Sequence, residues 1–230
     1  MNDALPPSAV IIPAAGAGER MGFDKVSRPL CGIPVIVRTA RVFLELDAVR
    51  RLIIAAHPER VDALAQLLAD HLPMDMVSCV PGGVTRTDSV RHALDDLPDN
   101  IDLVAVHDCA RPLVSAETVA AALATVGNAR IGAVVAHRMT DTVKRADESL
   151  RITGTLDRHE LWRAATPQVF PRDVLVDAYA RRAPDAPRAT DDAQLVERLS
   201  IPVICVESNP ENIKLTTPFD WRVAESLLSR

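Results

Sequence analysis

A run of small residues after an apolar segment is the first place where this sequence suggests chemistry. The segment Val10–Ile12 is apolar and β-branched, which predicts a buried strand, and Pro13 and five residues of minimal bulk follow it. Because almost no side chain stands in the way, several backbone N–H groups of such a loop can converge on one anion. Arg20 then adds a planar guanidinium with several N–H donors, and Lys25 adds a compact ammonium group. The combination predicts a polyphosphate site.

Two familiar phosphate-binding motifs do not fit this loop. The dinucleotide fingerprint requires a third glycine where Met21 stands, and Gly22 comes one residue late. The acid expected at the end of the second strand is replaced by His57 and Pro58. A P-loop is excluded because no Gly-Lys-Ser/Thr sequence occurs. An ordinary tight turn stays open as an alternative, although the basic residues that follow the loop disfavour it.

A second group of polar residues follows the apolar run Leu103–Val106. Asp108 comes just past this predicted strand, where a carboxylate can hold Mg²⁺ together with phosphate oxygens. Arg111 suits a second phosphate, although Asp108 and Arg111 fit a helix cap and its partner equally well. We interpret His107 as a scaffold histidine rather than a base. On spacing alone, Lys214 in its Thr-rich segment is interpreted as a surface lysine.

The elements that must position these residues predict an α/β fold. Apolar runs alternate with amphipathic helical patterns, which predicts a Rossmann-like, mostly parallel sheet with helices on both faces. Ligands of such sheets lie beyond the carboxyl ends of the strands, where the loops after Ile12, Val80 and Val106 all fall. Strands are predicted over Leu52–Ala56, Ile131–Ala136 and Val203–Val206. Helices are predicted over Pro34–Leu46, Glu59–Leu72, Thr87–Leu94, Ser115–Leu123 and Asp191–Leu199. Two more helices are predicted to begin after Pro171 and at Pro218.

Residues 137–158 depart from this pattern. Polar, β-tolerant residues alternate on either side of Ala146–Ser149, which predicts a hairpin. Because such a hairpin can bury little by itself, we interpret residues 137–158 as a β-arm that projects from the main domain and pairs with another subunit. We expect residues 1–230 to form one domain, since a chain of this length suits a single large core.

Composition limits where the protein acts and what it binds. A net charge of −5 gives no general attraction to nucleic acid or to an anionic membrane, so any anion site must be local. Four cysteines without a C-x-x-C pair fit a reducing compartment. We find neither a signal-peptide pattern nor a run of membrane-spanning length. We therefore expect a cytoplasmic protein that binds neither nucleic acid nor membrane.

Several short motifs occur together along the chain. They are Pro13–Met21, Gly82–Ser89, Val106–Pro112, Asp141–Lys144, Thr166–Gln168, Thr190–Asp192 and Asn212–Thr216. As a set, spread over residues 10–225, they resemble the 2-C-methyl-D-erythritol 4-phosphate cytidylyltransferase family of non-mevalonate isoprenoid biosynthesis. The first motif alone is shared by many nucleotidyltransferases, whereas the set is far more specific. The resemblance implies transfer of CMP from CTP to 2-C-methyl-D-erythritol 4-phosphate, with release of pyrophosphate.

The resemblance also implies roles for individual residues. Asp108 matches a magnesium ligand, Arg20 and Lys25 match residues that stabilise charge on the α-phosphate, and the arm matches one that crosses a homodimer interface. Arg158 and Lys214 match catalytic residues that aim the attacking sugar phosphate. The other matches are, for CTP phosphates, Ala14, Ala15, Gly16 and Gly18; for cytosine, Gly83 and Ser89; and for the sugar phosphate and its pocket, Arg111, Thr142, Thr166 and Thr190.

The implied reaction is a direct in-line attack by the acceptor phosphate on the α-phosphorus of CTP. A phosphate dianion is already deprotonated, so positioning and charge neutralisation suffice, without a protein nucleophile or general base. The chain departs from the family pattern at two places. The aromatic residue usual after Lys25 is missing and the segment is one residue longer, which makes Arg28 an alternative to Lys25. Val84 stands where many members carry an acid or Asn.

Other functions remain open at this point. A cytidylyltransferase for another polyol phosphate, such as ribitol 5-phosphate, would carry similar motifs. A catalytically weak regulator would bind CTP and magnesium but release no pyrophosphate. A nicotinamide-dependent oxidoreductase is disfavoured by the failed dinucleotide fingerprint.

Overall fold

A computed structural model describes residues 5–16, 24–182 and 189–229. In chain order the strands are β1 (Ser8–Ala14), β2 (Pro29–Leu30), β3 (Ile33–Pro34), β4 (Val49–Ala56), β5 (Val77–Pro81), β6 (Leu103–Val106), β7 (Gly132–Arg138), β8 (Lys144–Ala146), β9 (Ile152–Thr155), β10 (Trp162–Pro171) and β11 (Val203–Glu207). The helices are α1 (Val35–Leu44), α2 (Val61–Ala69), α3 (Arg86–Leu94), α4 (Ala116–Val126), α5 (Arg172–Ala180), α6 (Asp192–Glu197) and α7 (Pro218–Leu228). The helices and strands predicted from the sequence are confirmed to within about two or three residues, as is usual for element boundaries.

Seven strands form the central sheet in the order β11-β7-β10-β6-β1-β4-β5. Neighbouring strands are parallel except at β10, which runs antiparallel to both β6 and β7. The predicted mostly parallel α/β fold is therefore confirmed. Strand β10 was not among the predicted elements. It is the strand that carries Thr166 and Gln168.

Strand β1 lies at the centre of the core, with apolar residues on both faces. Successive side chains of a strand point to opposite sides, so Val10 and Ile12 join one apolar cluster while Ala9 and Ile11 join the other. The first cluster includes buried residues of α1, α2, α4 and α7, and the second includes those of α3, α5 and α6. With both faces covered, β1 reads as one continuous apolar run that ends at the small-residue loop.

Side-chain caps fix the start of the helices next to the site. Thr85 and Asp88 form a reciprocal capping box at the first turn of α3, which places Arg86 as the first helical residue. Ser115 accepts a hydrogen bond from the Thr118 amide and caps α4, as predicted. The loops before these helices are thereby held in defined positions beyond the strand ends.

The predicted hairpin is present as a separate two-stranded sheet. Strands β8 and β9 pair antiparallel, and every residue in both is exposed. Leu150 and Ile152 are large apolar residues with most of their surface in solvent.

Within the described part of the chain, no helix is long and apolar enough to cross a bilayer.

Candidate active site

The loops after β1, β5 and β6 meet at one cavity of about 270 Å³. This convergence follows from the shared direction of these parallel strands and confirms the prediction made from the sequence. We call this space the first cavity. Eight of the predicted site residues line it: Ala14, Ala15, Gly16, Lys25, Gly83, Ser89, Asp108 and Lys214.

A second cavity of about 250 Å³ adjoins the first. Its lining contains three predicted residues of the acceptor pocket, Arg111, Thr166 and Thr190. The two cavities share one wall, which consists of Arg86, Asp108 and Lys214. The structure therefore brings most of the predicted residues into two adjoining spaces.

Four predicted residues are not placed at either cavity. Gly18 and Arg20 lie outside the described residues. Thr142 and Arg158 are exposed on the arm and its base, and Arg158 donates a hydrogen bond of 2.8 Å to the carbonyl of Thr140. The roles assigned to these four residues stay predictions.

Two glycines let the loop after β5 approach its neighbours closely. A Cβ on Gly82 would lie 2.7 Å from the Cβ of Ala15 and 3.0 Å from the carbonyl of Ala56. A Cβ on Gly83 would overlap the Cβ of Asp88. The Ser89 hydroxyl accepts a 3.1 Å bond from the Gly83 amide and holds this loop in place. This wall of the first cavity therefore depends on the lack of side chains at both glycines.

The Asp108 carboxylate is buried among three cations. Arg86 Nε lies 3.1 Å from Oδ1, while Lys214 Nζ and Arg111 Nε lie 2.8 Å and 3.6 Å from Oδ2. Burial alone would raise the pKa of Asp108, but the three positive charges hold it well below its usual range. Asp108 is therefore ionised at neutral pH. The alternative in which it caps a helix is wrong, because α4 begins later and is capped by Ser115.

Arg86 is a site residue that was not assigned a role from the sequence. Its Nη2 lies 2.8 Å from Oδ2 of Asp192, whose side chain is almost fully buried and also accepts a hydrogen bond from the Tyr179 hydroxyl. Arg86 thus links the carboxylates of Asp108 and Asp192. The one signal in the sequence was its place in the Gly82–Ser89 motif.

His107 is confirmed as a scaffold residue. Its Nε2 lies 3.1 Å from the carbonyl of Arg111, which can only accept, so we assign the proton to Nε2. Burial lowers the pKa of His107 to about 4, so the ring is neutral and Nδ1 accepts from the Thr166 hydroxyl at 3.0 Å. The same hydroxyl oxygen accepts from the Asp108 amide at 3.0 Å. His107 therefore fixes the backbone on either side of Asp108.

The structure distinguishes between Lys25 and Arg28, the two candidates for the cation that follows Arg20 in the sequence. Lys25 lines the first cavity, whereas the guanidinium of Arg28 lies over the ring of Trp221, 5.2 Å from its centre. Lys25 is therefore the one placed to meet a ligand in that cavity. Val84 also lines the first cavity and is fully exposed there.

A magnesium ion fits this site only with help from a ligand. Within the described residues, no cluster of three or more His, Cys, Asp or Glu side chains is arranged to hold a metal. Asp108 is the carboxylate in the described lining of the first cavity. One carboxylate plus phosphate oxygens is a common way of binding Mg²⁺, so the donor set is compatible with a metal that shares its ligands with a nucleotide.

Comparison with known proteins agrees with this geometry. Residues 8–230 match the model of the IspD family, 2-C-methyl-D-erythritol 4-phosphate cytidylyltransferase. Proteins of that name from Symbiobacterium thermophilum and Frankia casuarinae are 43% and 42% identical, over 96% and 99% of this chain and 93% and 83% of theirs. The crystal structure of 4-diphosphocytidyl-2C-methyl-D-erythritol synthase from Anaerococcus prevotii is similar with a TM-score of 0.86 and 26% identity, covering 98% of this chain and 99% of that one. The cytidylyltransferase structure from Thermus thermophilus gives a TM-score of 0.78 and 30% identity, covering 96% and 98%.

Proposed function

Since the chain belongs to the 2-C-methyl-D-erythritol 4-phosphate cytidylyltransferase family, we propose that it transfers CMP from CTP to 2-C-methyl-D-erythritol 4-phosphate. The products are 4-diphosphocytidyl-2-C-methyl-D-erythritol and pyrophosphate. The observation that carries this proposal is the pair of adjoining cavities with a shared wall of Arg86, Asp108 and Lys214. Two anionic substrates that react with each other need adjoining sites with cations between them.

CTP is proposed to occupy the first cavity. Its phosphates would lie against the small residues Ala14 to Gly16, where backbone groups can approach closely, with Lys25 supplying positive charge. Gly83 and Ser89 line the same cavity and would face the base. Mg²⁺, when bound through Asp108 and phosphate oxygens, would neutralise charge on the departing pyrophosphate.

The polyol phosphate is proposed to occupy the second cavity. Arg111 is anchored there because its Nη1 donates a 2.9 Å hydrogen bond to the carbonyl of Asn212. Thr190 lines this cavity, and Thr166 forms part of its wall while its hydroxyl group stays bonded to His107 and to the Asp108 amide. Lys214 reaches this cavity as well as the first. The anchored Arg111, together with Lys214, can hold an anionic acceptor phosphate close to the α-phosphorus of CTP.

The proposed reaction needs no proton transfer by the protein. An oxygen of the acceptor phosphate forms a bond to the α-phosphorus, and the bond from that phosphorus to the oxygen leading to the β-phosphorus breaks. His107 is unsuited as a base, since it is buried and both ring nitrogens are engaged. Catalysis then comes from orientation and from cations that stabilise the charge that develops.

Pyrophosphate release is the direct test of this function. With CTP and magnesium, we expect rapid release with 2-C-methyl-D-erythritol 4-phosphate and at most slow release with ribitol 5-phosphate or without an acceptor. Mass spectrometry should identify the cytidylyl product. Faster turnover with ribitol 5-phosphate would instead support a different polyol, and CTP binding without release under any condition would support a regulator.

The arm is proposed to complete the site across a homodimer. Its strands are exposed, and Thr142 and Arg158 reach neither cavity of their own chain. A two-stranded hairpin is only marginally stable alone, so pairing with a second copy would stabilise it. We infer that each arm brings these two residues to the second cavity of its partner.

Replacing Ile152 with aspartate tests this assembly. Ile152 is 65% exposed on the arm, and a charge there should oppose an apolar contact, giving a monomer by light scattering and at least about tenfold lower turnover. Phe219→Asp is the matched control, because Phe219 is also 65% exposed but lies on α7. An I152D protein that remains dimeric would contradict the proposed role of the arm.

A cytoplasmic location is proposed on chemical grounds. All four cysteines are free thiols, which fits a reducing compartment, and the net charge is negative. The absence of nucleic-acid and membrane partners and the single-domain organisation of residues 1–230 stay predictions.

A further inference from the structure

The three cations around Asp108 differ in how firmly they are held. Arg86 is fixed by its 2.8 Å ion pair with the buried carboxylate of Asp192. Arg111 is fixed by its 2.9 Å hydrogen bond to the carbonyl of Asn212. Both guanidinium groups therefore have a second anchor that does not depend on Asp108.

Lys214 is held differently. Its backbone is fixed, because the amide of the following residue, Leu215, donates a 2.8 Å bond to the carbonyl of Ala110. Its side chain is 40% exposed, has four rotatable carbon bonds, and ends at Oδ2 of Asp108 at 2.8 Å. The side chain also lines both cavities. Among the three cations, Lys214 is thus the one that can change position without breaking a second anchor.

The charge around Asp108 opposes binding of a bare divalent cation. One carboxylate already faces three positive side chains, and a further double positive charge within contact distance would be repelled by all of them. Triphosphate oxygens can offset this repulsion, and the departure of one cation would offset it further. The ammonium group of Lys214 is paired with Oδ2 of Asp108 in the wall that the two cavities share.

We infer that Lys214 is an exchangeable cation, which occupies the Asp108 carboxylate in the free protein and leaves it when a metal binds there with the nucleotide. This inference rests on the proposed function, because it takes the metal and the nucleotide from it. Once it has left Asp108, the ammonium group of Lys214 can move into the second cavity and bind the acceptor phosphate. One lysine thus blocks premature metal binding and then serves the second substrate.

Metal affinity of the free protein tests this exchange. Binding of Mn²⁺ alone is measured by electron paramagnetic resonance for the wild type and for Lys214→Met, which keeps the length of the side chain but removes its charge. We expect K214M to bind Mn²⁺ at least about tenfold more tightly, since a like charge next to the carboxylate is gone. The same variant should lose turnover, so metal affinity and activity should change in opposite directions.

Two further variants locate the effect. The double variant D108N/K214M should return to the weak binding of the wild type, because the gained site needs the carboxylate. Lys144→Met removes the same charge from exposed β8 and should leave Mn²⁺ affinity unchanged. Circular dichroism checks that each variant is folded, and Lys214→Gln replaces K214M if K214M is not.

The inference is overturned if a folded variant without the Lys214 charge binds Mn²⁺ no more tightly than the wild type. It is also overturned if D108N/K214M keeps the gain. These measurements use no substrate, so they can fail while the wild type turns over normally. Conversely, failure of the transferase assay with a clear gain in K214M would refute the function, while still showing that Lys214 competes with a metal ion for Asp108.

Discussion

Asp108→Asn is expected to lower turnover at least about a hundredfold and to destabilise the fold by about 3 kcal/mol. The loss of turnover follows because the proposed metal ligand is gone. The loss of stability follows because Arg86, Arg111 and Lys214 would then face one another without the buried carboxylate that pairs with them. Steady-state kinetics and urea denaturation measure the two effects.

A matched substitution separates this effect from ordinary loss of an ion pair. Asp173→Asn breaks a largely exposed pair with Arg130, and such pairs contribute less than about 1 kcal/mol. If D108N were as stable and as active as D173N, the central place given to Asp108 would be wrong.

The stability difference between the wild type and D108N should also depend on pH. The pKa of Asp108 is lowered in the folded state, so its contribution is fully present above the ordinary carboxyl value of 3.8. It is lost as the pH falls below that value and through the folded pKa. The two proteins should therefore converge in stability under strongly acidic conditions, as measured by urea denaturation at a series of pH values.

Lys25→Met is expected to lower kcat at least about a hundredfold, since loss of one group that stabilises transition-state charge costs about 3 kcal/mol. Arg28→Met is the control, because Arg28 lies against Trp221 instead of in the first cavity. We expect R28M to keep its turnover within about threefold. The opposite ranking of the two variants would mean that Arg28 has taken over the role of Lys25.

The convergence of three loops was predictable because strand direction decides it. Strands β1, β5 and β6 are each followed directly by small or polar residues, and parallel strands present their carboxyl ends at one edge. Strand β10 was not predictable in the same way. It contains Pro167 and Pro171, and its register shifts between Ala164 and Gln168, so it lacks the regular pattern of an ordinary strand.

The role of Arg86 could not be read from local sequence either. An arginine in the first turn of a helix is usually a solvated surface residue. Its buried partner Asp192 lies 106 residues away along the chain, and only the complete fold brings the first residues of α3 and α6 within bonding distance. For Lys214 the resemblance to the family was needed, since spacing alone suggested a surface position.

The common wall of the two cavities has a consequence for inhibitor design. A single compound that carries a nucleoside at one end and a short polyol at the other, joined by a non-cleavable phosphonate, would place its anionic linker beside Arg86 and Lys214. Binding of one end raises the effective concentration of the other, so affinity should exceed that of either fragment by orders of magnitude.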